Sequence, residues 1–280
     1  MKRVPIILLS IIVLALALVV SCKQPEPENQ LKTEENWILD ADGIAPADKS
    51  QVKGAVVIPS EVDGVKVTKI KFGAFSDCTE LTGITIPDTV TYIGMGSFEG
   101  CTSLESLTIP SSVTTIKYAA FQGCGITSLV IPDTVKILEA YCFKSLKNLS
   151  SLTLANIDEI DSGVFEDCDS LTTVTIPAGM TSLSEYMFFG CDILETVNIP
   201  ESVTDIGWSA FEDCPELTSI TFPAALDRIG PYAFRDCKKL ASVNYAGTMA
   251  QWAKVSTNFQ WHENVPATKV TCSDGDADFH

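Results

Sequence analysis

From residue 75 onward, apolar side chains return at fixed offsets. Phe75, Phe98, Phe121, Phe143, Phe165, Phe188, Phe211 and Phe234 stand 22 or 23 residues apart. Six residues after each comes a leucine, from Leu81 to Leu240, except after Phe121, where "CGITSL" is one residue short and Ile126 arrives early. Pairs such as Ile84/Ile86, Leu107/Ile109, Leu129/Ile131, Val174/Ile176 and Val197/Ile199 then alternate in and out, the period of a short half-buried strand. Proline follows at Pro87, Pro110, Pro132, Pro177, Pro200 and Pro223. It offers no ladder donor and presets φ, so it ends the strand and turns the chain. Beyond it, Val90/Ile93, Val113/Ile116 and their counterparts form a second apolar edge.

Self-similarity at this period predicts a solenoid built of one unit per repeat, with short parallel strands stacked about 4.8 Å apart. One copy cannot bury its own apolar side, whereas each copy can cover the one before it. The ends need caps. Val56 to Ile58 and Val65 to Ile70, joined through Asp63-Gly64, predict a hairpin over the first coil. Met249, Trp252 and Val255, at helical spacing, predict a short helix laying Trp252 over the last apolar rows. The resulting plan is an N-terminal cap over 37–70, repeats over 71–245, and a C-terminal cap with an acidic, solvated tail over 246–280.

Cys78, Cys101, Cys124, Cys168, Cys191, Cys214 and Cys237 all lie three residues after the phenylalanine, which places them in one column. Parallel Cβ vectors in such a column hold neighbouring thiols outside disulfide geometry, so they are expected as small apolar fillers. Cys142 occupies the small-residue slot held elsewhere by Ala74, Ala120, Ala210 and Ala233. No C-x-x-C pair exists, and His262 and His280 lie beyond the repeats, so no metal or other cofactor is expected.

The outward strand positions carry no charge. Thr85, Ser106, Thr108, Ser128, Ser151, Thr153, Thr173, Thr175, Thr196, Asn198, Ser219 and Thr221 predict a rigid hydroxylated ribbon, flanked by acids such as Glu99, Glu166, Asp167, Glu212 and Asp213. Such a surface suits broad contact with a protein or glycan. Tyr118, Tyr141, Tyr186, Trp208 and Tyr232, near the phenylalanine turn, offer a second contact face. Chemistry needs convergent ionisable groups, for which the nearest candidate is Asp158, Glu159 and Asp161 in "ANIDEIDSGVF". There Ala155 replaces the usual proline and Leu146 the usual cysteine, so local degeneracy of the repeat explains the cluster as readily.

The chain of 280 residues carries a net charge of −17. That argues against nucleic acid as a partner, since phosphate binding needs a basic stripe. At the N-terminus, "MKRVPIILLSIIVLALALVVSC" has two cations, an apolar run and a small residue, the layout of a secretory signal over 1–21. The run is also close to the length of a membrane span. Its end, "LVVSC", resembles the lipobox of bacterial lipoprotein signals, and that resemblance implies cleavage before Cys22 and acylation of it. The polar, proline-bearing stretch of 22–36 then reads as a disordered tether.

The motif small-Phe-x-x-Cys-x-x-Leu followed by L-x-I-P-x-x-V-x-x-I resembles the BspA-type leucine-rich repeat proteins of oral and gut bacteria, a family rich in surface lipoproteins and adhesins. The likeness runs from about Val56 to Cys272, and "VVIPSEVDGVKVTKI" and "VNYAGTMAQWAKV" resemble the family's end caps. The resemblance implies a leucine-rich repeat solenoid without catalysis, lipid-anchored in the cell envelope at the outer membrane or cell surface. The partners it implies are host matrix or plasma proteins, glycans or other bacterial surfaces. A carbohydrate-active enzyme using the acidic cluster, and a structural envelope component, are the alternatives from other classes.

Overall fold

The computed structural model describes residues 36–258 and 260–280. Cys22, the signal segment and the tether lie outside the described residues. The chain coils into a solenoid of about ten turns, each with three sides. The first side is the main strand, as in Leu81–Thr85 and Ser128–Val130. The second is a two-residue strand, as in Tyr92–Ile93 and Thr115–Ile116. The third is the phenylalanine turn.

Proline sets the corner between the first two sides. Its carbonyl accepts the N–H three residues on, in pairs such as Val90 with Pro87 and Val113 with Pro110, both at 3.0 Å. On the third side, the residues two before and two after phenylalanine take left-handed backbone, as at Gly96 (φ 55°) and Gly100 (φ 73°) around Phe98. This turns alternate N–H groups toward the following coil. The N–H of Phe98 donates to Ala120 O at 2.8 Å, with Gly96 to Tyr118 O and Gly100 to Gln122 O on either side. Asp, Ser and Tyr fill these positions in other turns, as at Asp77, Ser145 and Tyr186.

Stacking produces the predicted core. All eight repeat phenylalanines are fully buried. Their rings stack face to face, from 5.0 Å between Phe75 and Phe98 to 5.8 Å between Phe143 and Phe165. The cysteine column is buried and unbridged. Six of the seven, all but Cys78 in the first repeat, are more than fillers, because each also donates to the phenylalanine carbonyl one turn back: Cys101 Sγ to Phe75 O at 3.1 Å, and Cys237 Sγ to Phe211 O at 3.1 Å. Cysteine is small enough for the slot and still supplies a weak donor for a buried acceptor.

The caps differ from expectation in three ways. Gly54–Val57 is not part of a hairpin; it pairs in parallel with Leu81–Thr85 as the first rung of the main ladder. The hairpin through Asp63-Gly64 is confined to Glu61–Val62 and Val65–Lys66. A second one, Trp37–Asp40 with Gly43–Pro46, closes the other ladder, with Ile44 opposite Ile70. At the C-terminal end the helix forms as expected. Met249–Trp252 starts at a capping box between Thr248 and Gln251, and Trp252 stacks on Phe222 at 6.1 Å. The acidic tail is mostly solvent-exposed but is also ordered: Gly275–Asp278 pairs antiparallel with Lys269–Cys272 and covers the end of the main ladder. His262 stands where a repeat would put phenylalanine, since Gln260 and Asn264 take the two left-handed positions and Phe234 N–H donates to Trp261 O at 2.8 Å.

A seam interrupts the stack. Ser151–Thr153 and Thr173–Thr175 do not pair, and neither do Glu159–Ile160 and Ser182–Leu183. The sequence between them explains why. Six residues separate Leu154 from Ile160, whereas seven separate Ile131 from Leu138 and Ile176 from Leu183. The corner at Ala155-Asn156 is thus one residue short, and no proline-type turn forms. Asn156 Oδ1 instead accepts the N–H of Gly179 at 2.9 Å. On the second side, Asp161 donates to Leu138 O and Gly207 to Leu183 O, but the equivalent bond from Ser184 to Ile160 O is not formed. The third side crosses the seam unbroken: Gly163 N–H donates to Glu185 O, Phe165 to Met187 O and Asp167 to Phe189 O, at 2.8–3.0 Å.

Candidate functional site

All twelve candidate ribbon residues face solvent: Thr85, Ser106, Thr108, Ser128, Ser151, Thr153, Thr173, Thr175, Thr196, Asn198, Ser219 and Thr221. Register aligns them across turns, with Ser128 opposite both Ser106 and Ser151, Thr173 opposite Thr196, and Thr175 opposite Asn198. Asn198 Nδ2 donates to Thr175 Oγ1 at 3.2 Å. Val130, 62% exposed, and Val57, 44% exposed and in register with Thr85, put large apolar side chains on the same face. The ribbon is not paired on both sides throughout, however. The main ladder is interrupted at the seam and again between Thr196–Asn198 and Ser219–Phe222, so the ribbon consists of three segments.

The acids expected beside the ribbon lie on the phenylalanine turn instead, and several are already paired. Glu212 is buried, accepting from Ser209 and bridged to Arg235. Glu166 is bridged to Lys144 at 2.5 Å. Asp158, Glu159 and Asp161 are exposed and point to no common enclosed site. Among the described residues, no group of His, Cys, Asp and Glu is arranged to hold a metal ion.

The aromatic face is partly as predicted. Tyr118 and Trp208 are exposed at 43% and 42%, while Tyr141, Tyr186 and Tyr232 are half-buried. Sequence reasoning missed Phe72 and Met95, which sit at the same offset as Tyr118, three residues before phenylalanine, and are also exposed. That offset was the available signal. Gly163 permits one feature of this face: a Cβ there would meet the Tyr141 ring at 2.4 Å.

Two open clefts adjoin the seam. The larger, about 560 Å³, runs along the corner between the second and third sides and is lined by Asp161, Ser184, Glu185, Asp205, Trp208 and Arg228, among others. Arg228 forks onto Asp205, with Nε to Oδ2 at 2.6 Å and Nη2 to Oδ1 at 3.0 Å. Trp208 leans on Tyr186 at 5.6 Å. The smaller, about 300 Å³, holds Asp158 and Gly179 and shares Ser184 with the first. Sequence reading could not place these clefts, because they follow from the missing corner residue.

Comparison with known proteins agrees with this architecture. The family model described as "BspA type Leucine rich repeat region (6 copies)" matches residues 68–191 and 158–256. Among solved structures, a leucine-rich repeat protein from Bacteroides ovatus is similar at 22% identity and TM-score 0.62, over 85% of this chain and 69% of that one. A leucine-rich repeat protein of T. pallidum is similar at 32% identity and TM-score 0.59, over 65% of this chain and 86% of that one. A third, from Eubacterium ventriosum, has 19% identity and TM-score 0.51, over 84% and 75%. No curated protein matches the chain. Proteins of the matched type are typically found at the bacterial surface, and no helix among the described residues is long and apolar enough to cross a membrane. With the family model covering well over half of its length, the chain belongs to the BspA-type leucine-rich repeat family.

Proposed function

We propose that this is a non-catalytic, lipid-anchored binding protein of the bacterial cell surface, which uses the hydroxyl ribbon to hold a host or bacterial surface protein or glycan. One observation carries the reading: twelve uncharged polar side chains, aligned by strand register, all face solvent. A solvent-facing polar strip carried on three paired segments offers many weak hydrogen bonds over a wide area, the anatomy of an interface rather than of a reaction site. The acyl group on Cys22 and the tether of 22–36 would hold this strip away from the bilayer.

The test is binding of the purified protein to arrayed matrix proteins, plasma proteins and glycans, repeated with Thr108→Lys, Thr153→Lys, Thr175→Lys and Thr221→Lys combined. Loss of binding by at least about 100-fold is expected, because four buried ammonium groups at an interface each oppose association. Undiminished binding would move the site to another face. Converting Asp158, Glu159 and Asp161 to their amides should leave binding unchanged; loss of a glycan-cleaving activity in that variant would instead favour the enzyme reading. Intact-mass measurement of membrane-extracted protein should find acylated Cys22 at the N-terminus, and an unmodified Met1 would refute the anchor.

A further inference from the structure

We propose that the seam cleft is a second binding site, independent of the ribbon, and that it takes a neutral saccharide. The cleft exists because the short corner at Ala155-Asn156 leaves two successive coils unpaired on their second side. Three observations point to a ligand there. The Ser184 hydroxyl is buried without a hydrogen-bond partner, although its residue lines both clefts. The backbone N–H of Ser184 and the carbonyl of Ile160, whose counterparts in the turns on either side bond one another, make no backbone bond here, and both residues line the cleft. Trp208 offers an exposed indole at its wall. Buried polar groups without partners are costly, and in native proteins they tend to mark a site that something else completes.

The chemistry of the lining selects the ligand class. Three carboxylates, from Asp161, Glu185 and Asp205, face one guanidinium, that of Arg228. This excess of negative charge disfavours acidic sugars, phosphates and other anions. A cationic peptide side chain could use the carboxylates, but it supplies only donors and would leave the Ser184 N–H unmatched and the Arg228 charge opposed. A sugar hydroxyl both donates and accepts, so adjacent hydroxyls can serve a carboxylate, the Ser184 hydroxyl and the open Ile160 carbonyl together. The apolar C–H face of a pyranose ring packs on indole, as the exposed side of Trp208 allows. A volume of about 560 Å³ lies within the range of small-molecule sites and admits a disaccharide.

The molecule carries its own reporter, since Trp37, Trp252 and Trp261 are buried and only Trp208 is exposed. Tryptophan emission of the full chain would be followed during titration with chitobiose, cellobiose, maltose, lactose and mannobiose. Sialyllactose and oligolysine serve as the anionic and cationic arms. At least one neutral disaccharide should shift the emission saturably. Trp208→Ala should lower its affinity, measured by calorimetry, at least about 30-fold with an unchanged thermal midpoint. Ser184→Ala, losing one hydrogen bond, should lower it about 10-fold while leaving the free protein at least as stable. The ribbon variant with four lysines should bind the disaccharide as the parent does, so failure of the ribbon reading leaves this one standing. The proposal is overturned if no neutral disaccharide binds at about 10 mM, if only oligolysine or sialyllactose binds, or if Trp208→Ala binds equally well.

Discussion

Raising the pH above about 9 is expected to unfold the protein over a narrow interval under reducing conditions. Burial pushes the Cys78 thiol up to about 11 and the Cys237 thiol up to about 12, and it holds Cys124, Cys142, Cys168, Cys191 and Cys214 well above their ordinary value too. In the unfolded chain the same thiols ionise near pH 8.5. The native state therefore keeps protons that the unfolded state releases. The stability they contribute is complete below about pH 8.5 and is lost as pH climbs toward the native pKa values. Each deeply buried thiol costs about 1.4 kcal/mol of stability per pH unit in that window. The six that are almost wholly enclosed (Cys124, Cys142, Cys168, Cys191, Cys214 and Cys237) together cost on the order of 8 kcal/mol per unit, comparable with the whole stability of an ordinary domain. Urea midpoints measured from pH 7 to 10.5 should be flat to about 8.5 and then collapse. A midpoint that holds steady to pH 10 would mean the thiols are not enclosed in the native state.

The second large effect is expected at Phe165. Its ring stacks on Phe143 at 5.8 Å and on Phe188 at 5.6 Å, and among the described residues its turn is the one side whose backbone-to-backbone hydrogen bonds cross the seam. Phe165→Ala should cost about 3–5 kcal/mol, the range for a buried phenylalanine. It should also divide the urea transition in two, because stability in a stacked repeat array is a sum of unit and nearest-neighbour terms and this variant weakens the poorest interface. Phe98→Ala supplies the control. It removes an equally buried ring, but its coil pairs on both strand sides, with Leu81–Thr85 joined to Ser106–Leu107 and Tyr92–Ile93 joined to Thr115–Ile116. A similar loss without division is expected there. Equal behaviour of the two variants, whether single or split, would contradict the mechanical role given to the Phe165 turn.

Much of this architecture is legible in the residues, and each exception has its own physical cause. The phenylalanine and cysteine columns and the outward hydroxyls follow from apolar period, because burial and strand alternation are properties of one repeat. The seam is not a property of one repeat. Whether Ser184 bonds to Ile160 depends on the relative lengths of two neighbouring corners, so replacement of proline by Ala155 signalled an irregular turn without telling which bonds would fail. The end structures were obscured differently. Trp37–Asp40 and Gly275–Asp278 cover open ladders with antiparallel strands that need not resemble the repeat, and the turn around His262 keeps the repeat's backbone without its phenylalanine. The acids beside the phenylalanine were misplaced because a left-handed backbone on the third side carries them away from the strand that follows.

The central claim is that successive coils form one continuous stack, whose backbone ladder crosses the seam on the third side while the corner contributes only the Asn156 side chain to Gly179. Residue-resolved hydrogen exchange tests it most directly. The amides of Gly163, Phe165 and Asp167 should be protected like those of Phe98 and Phe211, while the Ser184 amide exchanges far faster than its counterparts at Asp161 and Gly207. Strong protection of Ser184, or rapid exchange at Phe165, would contradict the account.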